Sequence, residues 1–314
     1  MTSPTLDDIE AAAERIKARV RRTPCLRTRF IKTPPHAGPL MLKLECLQVT
    51  GSFKARGASN AIAQLDAAAL ERGVITASGG NHGLALAYAA RMSGTRATVY
   101  LPERAPPEKA AKLRAWDADV IIEGIDFDDA NAEALRRAER EGMTYVHPFR
   151  HPDIIAGQGT VGREMMKQSS DIDVVLVAIG GGGLIAGVAT AVKAMKPGAK
   201  VIGVEAAGAP TLRASRDAGR LVTLDRIETR ANTLAPKRSA ELNFAISEEL
   251  VDDLVTISDD EMQDAARWLW FEMGIAAELS GAAALAALQS GAVTLAPEAC
   301  AAAIVCGAGE DGFA

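Results

Sequence analysis

Val174-Val175-Leu176-Val177-Ala178-Ile179-Gly180-Gly181-Gly182-Gly183-Leu184-Ile185-Ala186 is the stretch from which the fold can be read. An unbroken apolar run rich in valine is the mark of a strand buried on both faces, as parallel strands are. Four glycines end it, and a helical stretch follows. A strand that turns through glycines into a helix is the repeating unit of a parallel sheet covered by helices. The window from 174 to 192 carries no charge, which is also how a membrane span reads. Glycines at its middle would weaken a spanning helix and suit a tight turn, so no membrane association is expected.

Outward from this unit the same alternation recurs. Apolar, β-rich runs at Leu40–Leu44, Ala97–Leu101, 120–122 and 201–204 are separated by helical stretches, one beginning near Phe53 and one over 84–91. Near the start, Ile9, Ala13, Ile16 and Val20 lie at helical spacing behind Thr5-x-x-Asp8, the pattern of a capped amphipathic helix. Two strand systems emerge, one between about Gly73 and Val146 and one after Val174, with a cleft expected between them. The fold class is α/β, with open, mostly parallel twisted sheets and helices on both faces.

Composition narrows the partners. Lys plus Arg number 35 against 40 Asp plus Glu, a formal net charge of −5, so no basic surplus exists to neutralise nucleic acid or an anionic membrane. A chain of 314 residues, at about 100 to 200 per domain, has room for two domains. Cys25, Cys46, Cys300 and Cys306 form no disulfide framework, and the N-terminus lacks a signal peptide; a cytoplasmic setting follows as an expectation.

Three motifs can carry chemistry. In the glycine run, successive N–H groups at a helix N-terminus suit a phosphate-sized anion. The same residues satisfy a plain tight turn, and also the dinucleotide pattern G-x-G-x-x-A with Glu205 at the end of the next strand. In Thr50-Gly51-Ser52-Phe53-Lys54-Ala55-Arg56-Gly57, a lysine that is desolvated and has Arg56 as a cationic neighbour becomes a nucleophile fit for Schiff-base chemistry; an ordinary surface lysine is the plainer alternative. In Ser78-Gly79-Gly80-Asn81-His82-Gly83, a hydroxyl, an amide and helix-start N–H groups suit a carboxylate, or else Asn or Ser merely caps the helix.

Taken in order, these segments resemble the signatures of fold-type II pyridoxal phosphate enzymes of the tryptophan synthase β-like architecture, and most closely the serine/threonine dehydratases. Arg22-Thr23-Pro24-Cys25-Leu26, His147-Pro148-Phe149, Ala156-Gly157-Gln158-Gly159-Thr160 and Val305-Cys306-Gly307 extend the resemblance over nearly the whole chain. It implies pyridoxal 5'-phosphate as cofactor, Lys54 as its covalent anchor and catalytic base, and Phe53 against its ring. It further implies that Gly180, Gly181, Gly182, Gly183 and Leu184 hold the phosphate, that Asn81 bonds the 3'-hydroxyl and that Cys306 meets the pyridine nitrogen. Ser78, Asn81, His82 and Gly83 would surround the substrate carboxylate, with Phe149 also on the substrate side. A thiol does not protonate the pyridine as a carboxylate would, which favours elimination.

The resemblance carries further expectations. Residues 1–66 and 152–314 would form a large cofactor-binding domain, and 67–151 a small domain closing over the site, with no C-terminal regulatory domain. The reaction would be dehydration and deamination of L-threonine or L-serine by a homo-oligomer. The alternatives are a lyase for another β-substituted amino acid, such as 3-hydroxyaspartate, and, from a different class, a nucleotide-binding regulatory module. Three positions depart from the family pattern. Gly79 replaces the serine of relatives that racemise, Thr211 replaces the acidic partner of Glu205 in relatives that bind a cation, and Asn232-Thr233 replaces Asp-Gly. No metal is expected, whether at Glu205 or at His147 and His151, whose spacing is broken by Pro148. Trp268, Trp270 and Phe271 are expected in a core or subunit contact.

Overall fold

The computed structural model describes residues 2–310 and 312. Its strands are β1 (Cys25–Arg27), β2 (Leu40–Leu44), β3 (Val74–Ala77), β4 (Ala97–Leu101), β5 (Asp119–Ile122), β6 (Thr144–Tyr145), β7 (Val174–Ala178), β8 (Lys200–Ala206), β9 (Asp253–Ile257) and β10 (Ala301–Val305). They form a six-stranded sheet in the order β1-β2-β10-β7-β8-β9 and a four-stranded sheet in the order β5-β4-β3-β6. Among the described residues the one antiparallel strand pairing in these sheets is β1 with β2 at an edge; the other strand pairs are parallel.

β2, β7 and β10 are buried at every residue, because helices cover both faces. The alanines of β10 admit the Ala-rich helix Leu279–Gln289, whose residues Leu279 to Leu288 are all buried. Helix Gly183–Met195 is likewise apolar almost throughout and packs against helix Pro152–Gln168. The apolar window at 174 is therefore a strand followed by a helix, and no helix among the described residues is long and apolar enough to cross a membrane.

Thr5 and Asp8 do form a capping box at the head of helix Leu6–Ile16. That helix buries Ile9, Ala12 and Ile16 and ends there, so Val20 lies beyond it and packs into the core under the smaller sheet. The stretch read as a helix over 84–91 starts earlier, as Asn81–Met92. Ser78 follows β3, Gly180 follows β7 and Cys306 follows β10. All three residues thus lie at the carboxyl ends of parallel strands, where open α/β sheets place their ligands.

Candidate active site

Lys54 opens helix Lys54–Ile62. The chain is delivered there by a bridge between Ser52 and Gly307 and by the Phe53 N–H donating to the Cys306 carbonyl at 3.3 Å. Its Nζ donates to the Pro148 carbonyl at 2.9 Å and stands 5.1 Å from the Phe53 ring centroid. Desolvation lowers its pKa to about 8. Arg56 is not the cationic neighbour of Lys54 that the sequence suggests. Arg56 points to the other side of the helix and is buried there, bonding Glu45 through Nε and an η nitrogen at 2.8 Å each and Glu164 at 3.1 Å. Its charge is offset locally, so loss of water, and not Arg56, lowers the affinity of Lys54 for its proton.

The glycine run turns as the backbone demands. Gly182 has φ +86°, and a Cβ at Gly181 would lie 2.2 Å from the Phe149 ring. Gly182 caps helix Gly183–Met195 with no side-chain acceptor, and the first bond back into the turn is from Ala186 N to the Gly182 carbonyl at 3.0 Å. The N–H groups of Gly183, Leu184 and Ile185 therefore have no helical acceptor, and they point where the dipole favours an anion. The Gly181 carbonyl is held by Ser239 Oγ at 3.0 Å and Asn243 Nδ2 at 2.6 Å, and Asn243 also reaches the Phe149 carbonyl at 3.2 Å.

The remaining motif is the loop after β3. Asn81 is not a cap: it sits inside the helix and its Nδ2 donates to Glu278 Oε1 at 2.8 Å. Ser78 Oγ accepts weakly from the Gly80 N–H at 3.4 Å. His82 is buried with Nε2 against the Val146 carbonyl at 2.9 Å; burial drives its pKa down to about 3, so the ring is neutral and its side chain is spent on the fold. Gly83 lies against the Ser78 carbonyl, where a Cβ would come within 2.0 Å. Cys306 is buried, with Sγ donating to the Ser280 carbonyl at 3.3 Å; burial pushes its thiol well above the ordinary range, so it stays protonated. The Phe149 ring packs edge-on against His147 with centroids 4.6 Å apart.

Several polar residues of this site were not reached from the sequence. Glu278 Oε1 also accepts from Ser280 Oγ at 2.7 Å and from Thr233 Oγ1 at 3.3 Å, and Thr233 bonds Ser280 in turn. Only Thr233 carried a signal, as a departure from a family pattern. Glu205 answers the dinucleotide alternative. It is fully buried, and its carboxylate accepts from the N–H groups of Leu212 and Arg213 at 2.8 Å each and from Thr211 Oγ1 at 3.1 Å. It closes the start of helix Thr211–Asp217, and both of its oxygens are bonded there. His147 accepts from the backbone of Phe149 and Arg150, while His151 caps helix Pro152–Gln168. Among the described residues no cluster suited to a metal ion occurs. Trp268 is buried and donates to the Thr33 carbonyl, whereas Trp270 and Phe271 are largely exposed.

A lysine of lowered proton affinity beside an anion cradle, at the carboxyl ends of parallel strands, defines a site for a phosphorylated carbonyl cofactor. Residues 16–307 match the family described as pyridoxal-phosphate dependent enzyme, and the chain belongs to that family. The L-threonine ammonia-lyase of Thermotoga maritima is 42% identical over 284 residues, covering 90% of this chain and 71% of that protein. The processed form of threonine deaminase isoform 2 from Solanum lycopersicum superimposes with a TM-score of 0.90 at 34% identity, covering 99% of this chain and 92% of that one. Maize serine racemase superimposes with a TM-score of 0.93 at 33% identity, covering 98% and 94%. Pyridoxal 5'-phosphate is the cofactor, and the residues present fit it. The turn excludes side chains where a phosphate would approach the backbone, and the one lysine at its edge is poorly solvated.

Proposed function

We propose that this enzyme is an ammonia-lyase that converts L-threonine or L-serine into 2-oxobutanoate or pyruvate, with release of ammonia. Lys54 would hold the cofactor and serve as base, and Gly180, Gly181, Gly182, Gly183 and Leu184 would hold its phosphate. Asn81 would meet its 3'-hydroxyl, Cys306 its ring nitrogen, and Phe53 its ring. When bound, the cofactor makes the Cα–H of an attached amino acid acidic and lets a β-substituent leave. Lys54 as a free amine takes the Cα proton, and its pKa, lowered by desolvation to about 8, gives it a larger free-amine fraction than an ordinary lysine has. Ser78, Asn81 and the N–H groups of the loop through Gly83 hold the substrate carboxylate at a helix N-terminus, and Phe149 closes that side.

The observation that carries this reading is the buried Cys306 thiol, whose Sγ donates to the Ser280 carbonyl at 3.3 Å; burial pushes its pKa up, which keeps it neutral. A neutral, poorly acidic group at the ring nitrogen does not donate a proton there, so charge at Cα is discharged by elimination and is not stored. Gly79 bears on racemisation: it offers no proton donor, and the direction a side chain would take from it is filled by Leu101 and the stem of Lys109 at 3.0 and 3.2 Å. Thr233, beside Glu278 and Ser280, places a β-branched residue in the site and favours, as a second reading, another β-substituted amino acid such as 3-hydroxyaspartate.

The division into 1–66 with 152–314, and 67–151 as a small closing domain, belongs to this proposal; the strands of the four-stranded sheet fall within the second range. So do a cytoplasmic setting and a homo-oligomer, for which the exposed Trp270 and Phe271 offer apolar area. The test is a panel of threonine, serine and 3-hydroxyaspartate with the holoenzyme, scored for ammonia and 2-oxo acid. Stoichiometric release of both from threonine or serine is expected. Release from 3-hydroxyaspartate alone would favour the second reading, and release from none would refute both.

A further inference from the structure

Three separate parts of the chain converge on one carboxylate. Glu278 stands immediately before helix Leu279–Gln289 and is half-buried. Its Oε1 takes donors from Asn81 at the start of helix Asn81–Met92, from Ser280 and from Thr233. A Cβ built on Gly307 would lie 2.2 Å from that same oxygen and 3.2 Å from Asn81 Nδ2, so the carboxylate rests on the backbone just after Cys306. Ser280, which bonds Glu278 through its hydroxyl, accepts from Cys306 through its carbonyl.

We propose that Glu278 is a positioning residue of the cofactor site, which fixes the amide of Asn81 and supplies the negative charge facing Lys54. An amide whose Nδ2 is tied to a carboxylate has its Oδ1 and its second N–H fixed in direction, and flipping it would sacrifice a charge-assisted bond. The same carboxylate lies beside the backbone that delivers Lys54, since Gly307, on which it rests, pairs with Ser52, and the Phe53 N–H donates to the Cys306 carbonyl. Cys306 and Glu278 act on it directly, and Lys54 in turn acts on His82 and His147, the latter also beside Arg150. Burial keeps the Cys306 thiol protonated and holds His82 and His147 neutral, with pKa values of about 3 and 2. The carboxylate of Glu278 is the charge left among them to oppose the desolvation of the Lys54 nitrogen.

This inference rests on the proposed cofactor role of Lys54 and Asn81, and the test separates the two. The visible absorbance of the holoenzyme is titrated with pH, and cofactor Kd is measured, for the natural protein, Glu278→Gln and Glu278→Asp. Glu278→Gln should lower the midpoint of the titration by about one pH unit, since an opposite charge at close range is worth about that much or more. It should also raise Kd about tenfold, as a charge-assisted bond is lost. Glu278→Asp keeps the charge at shorter reach, so the midpoint should hold while Kd rises several-fold. A merely structural residue would lower Tm and leave the midpoint where it was. If the glutamine variant fails to fold, the aspartate variant decides through its Kd. A midpoint and Kd unchanged from the natural protein would overturn the proposal. If the natural protein itself showed no cofactor band, the assignment of Lys54 would fail first, and this one with it.

Discussion

Replacing Gly181 with alanine tests whether the glycine turn is built by exclusion of side chains. The added Cβ would stand 2.2 Å from Phe149 Cδ1 and 2.4 Å from both Cε1 and Cγ, well inside van der Waals contact. Phe149 cannot yield as a whole, because its carbonyl is held by Asn243 and its main chain lies against Gly183. The ring must therefore swing aside and leave its edge-on contact with His147. Overpacking of this kind costs about 1–3 kcal/mol, and the lost aromatic contact about 0.5–1.5 kcal/mol more. Urea denaturation of the cofactor-free protein should show Gly181→Ala destabilised by about 2–4 kcal/mol, with cofactor Kd raised alongside. In the double variant Gly181→Ala/Phe149→Ala the clash disappears, so the two costs should fall short of additive by at least about 1 kcal/mol. A single variant as stable as the natural protein, or additive costs, would show that Phe149 is not what demands glycine at 181.

Lys54→Ala should lose the visible chromophore and cut turnover by at least about 10²–10⁴-fold, the share of general base catalysis alone; retained colour and rate would contradict the assignment. Because the folded pKa of Lys54 is lowered from 10.5 to about 8, the unfolded chain binds more protons between those values. The stability of the cofactor-free protein should therefore rise with pH across that window relative to Lys54→Met, and reloading with cofactor should quicken as pH passes through about 8; parallel pH profiles for the two proteins would refute this. Arg56→Met strands the buried Glu45 carboxylate, and urea denaturation should register a loss of about 3–5 kcal/mol, toward the lower end because Lys43 also acts on Glu45. Chelators should leave Tm and activity nearly unchanged, since both oxygens of Glu205 are already bonded by Thr211, Leu212 and Arg213; a loss restored by magnesium or calcium would reveal a cation site.

The parts of this site that sequence could deliver are those set by the backbone within one short stretch. The strand that breaks into four glycines, the lysine at a helix start and the loop after β3 all declare themselves locally. What escaped was set by chain segments far apart in sequence. Asn81 and Glu278 are 197 residues apart, and nothing in the stretch around Glu278 announces that a distant amide will bond it. Glu205 matched a ribose-binding spacing, but spacing along the chain does not say where a carboxylate turns, and helix Thr211–Asp217 begins directly against it. The start of helix Asn81–Met92 was read late because apolar periodicity marks only the buried face, and its first turn spends its residues on the site.

Helical geometry alone sets Arg56 apart from Lys54. Two residues along a helix of 3.6 per turn is about 200°, so Lys54 and Arg56 point to opposite sides and cannot be close neighbours. That half-turn separates two kinds of buried cation. On one side Arg56 meets Glu45 in a two-point contact, with Glu164 and Thr160 completing its bonds, and Lys43 joins the same group through Glu164 at 2.6 Å. Desolvation of Arg56 is more than offset by paired charge, so Arg56 anchors the helix and keeps its proton. On the other side Lys54 is given a neutral carbonyl at contact distance and, among the described residues, no carboxylate in direct bond, so desolvation is offset only in part. A lysine treated as Arg56 is treated would keep its proton and could not serve as nucleophile or base. The helix thus has to fix its first residue firmly in place without neutralising it, and putting the ion pairs two residues further on achieves both.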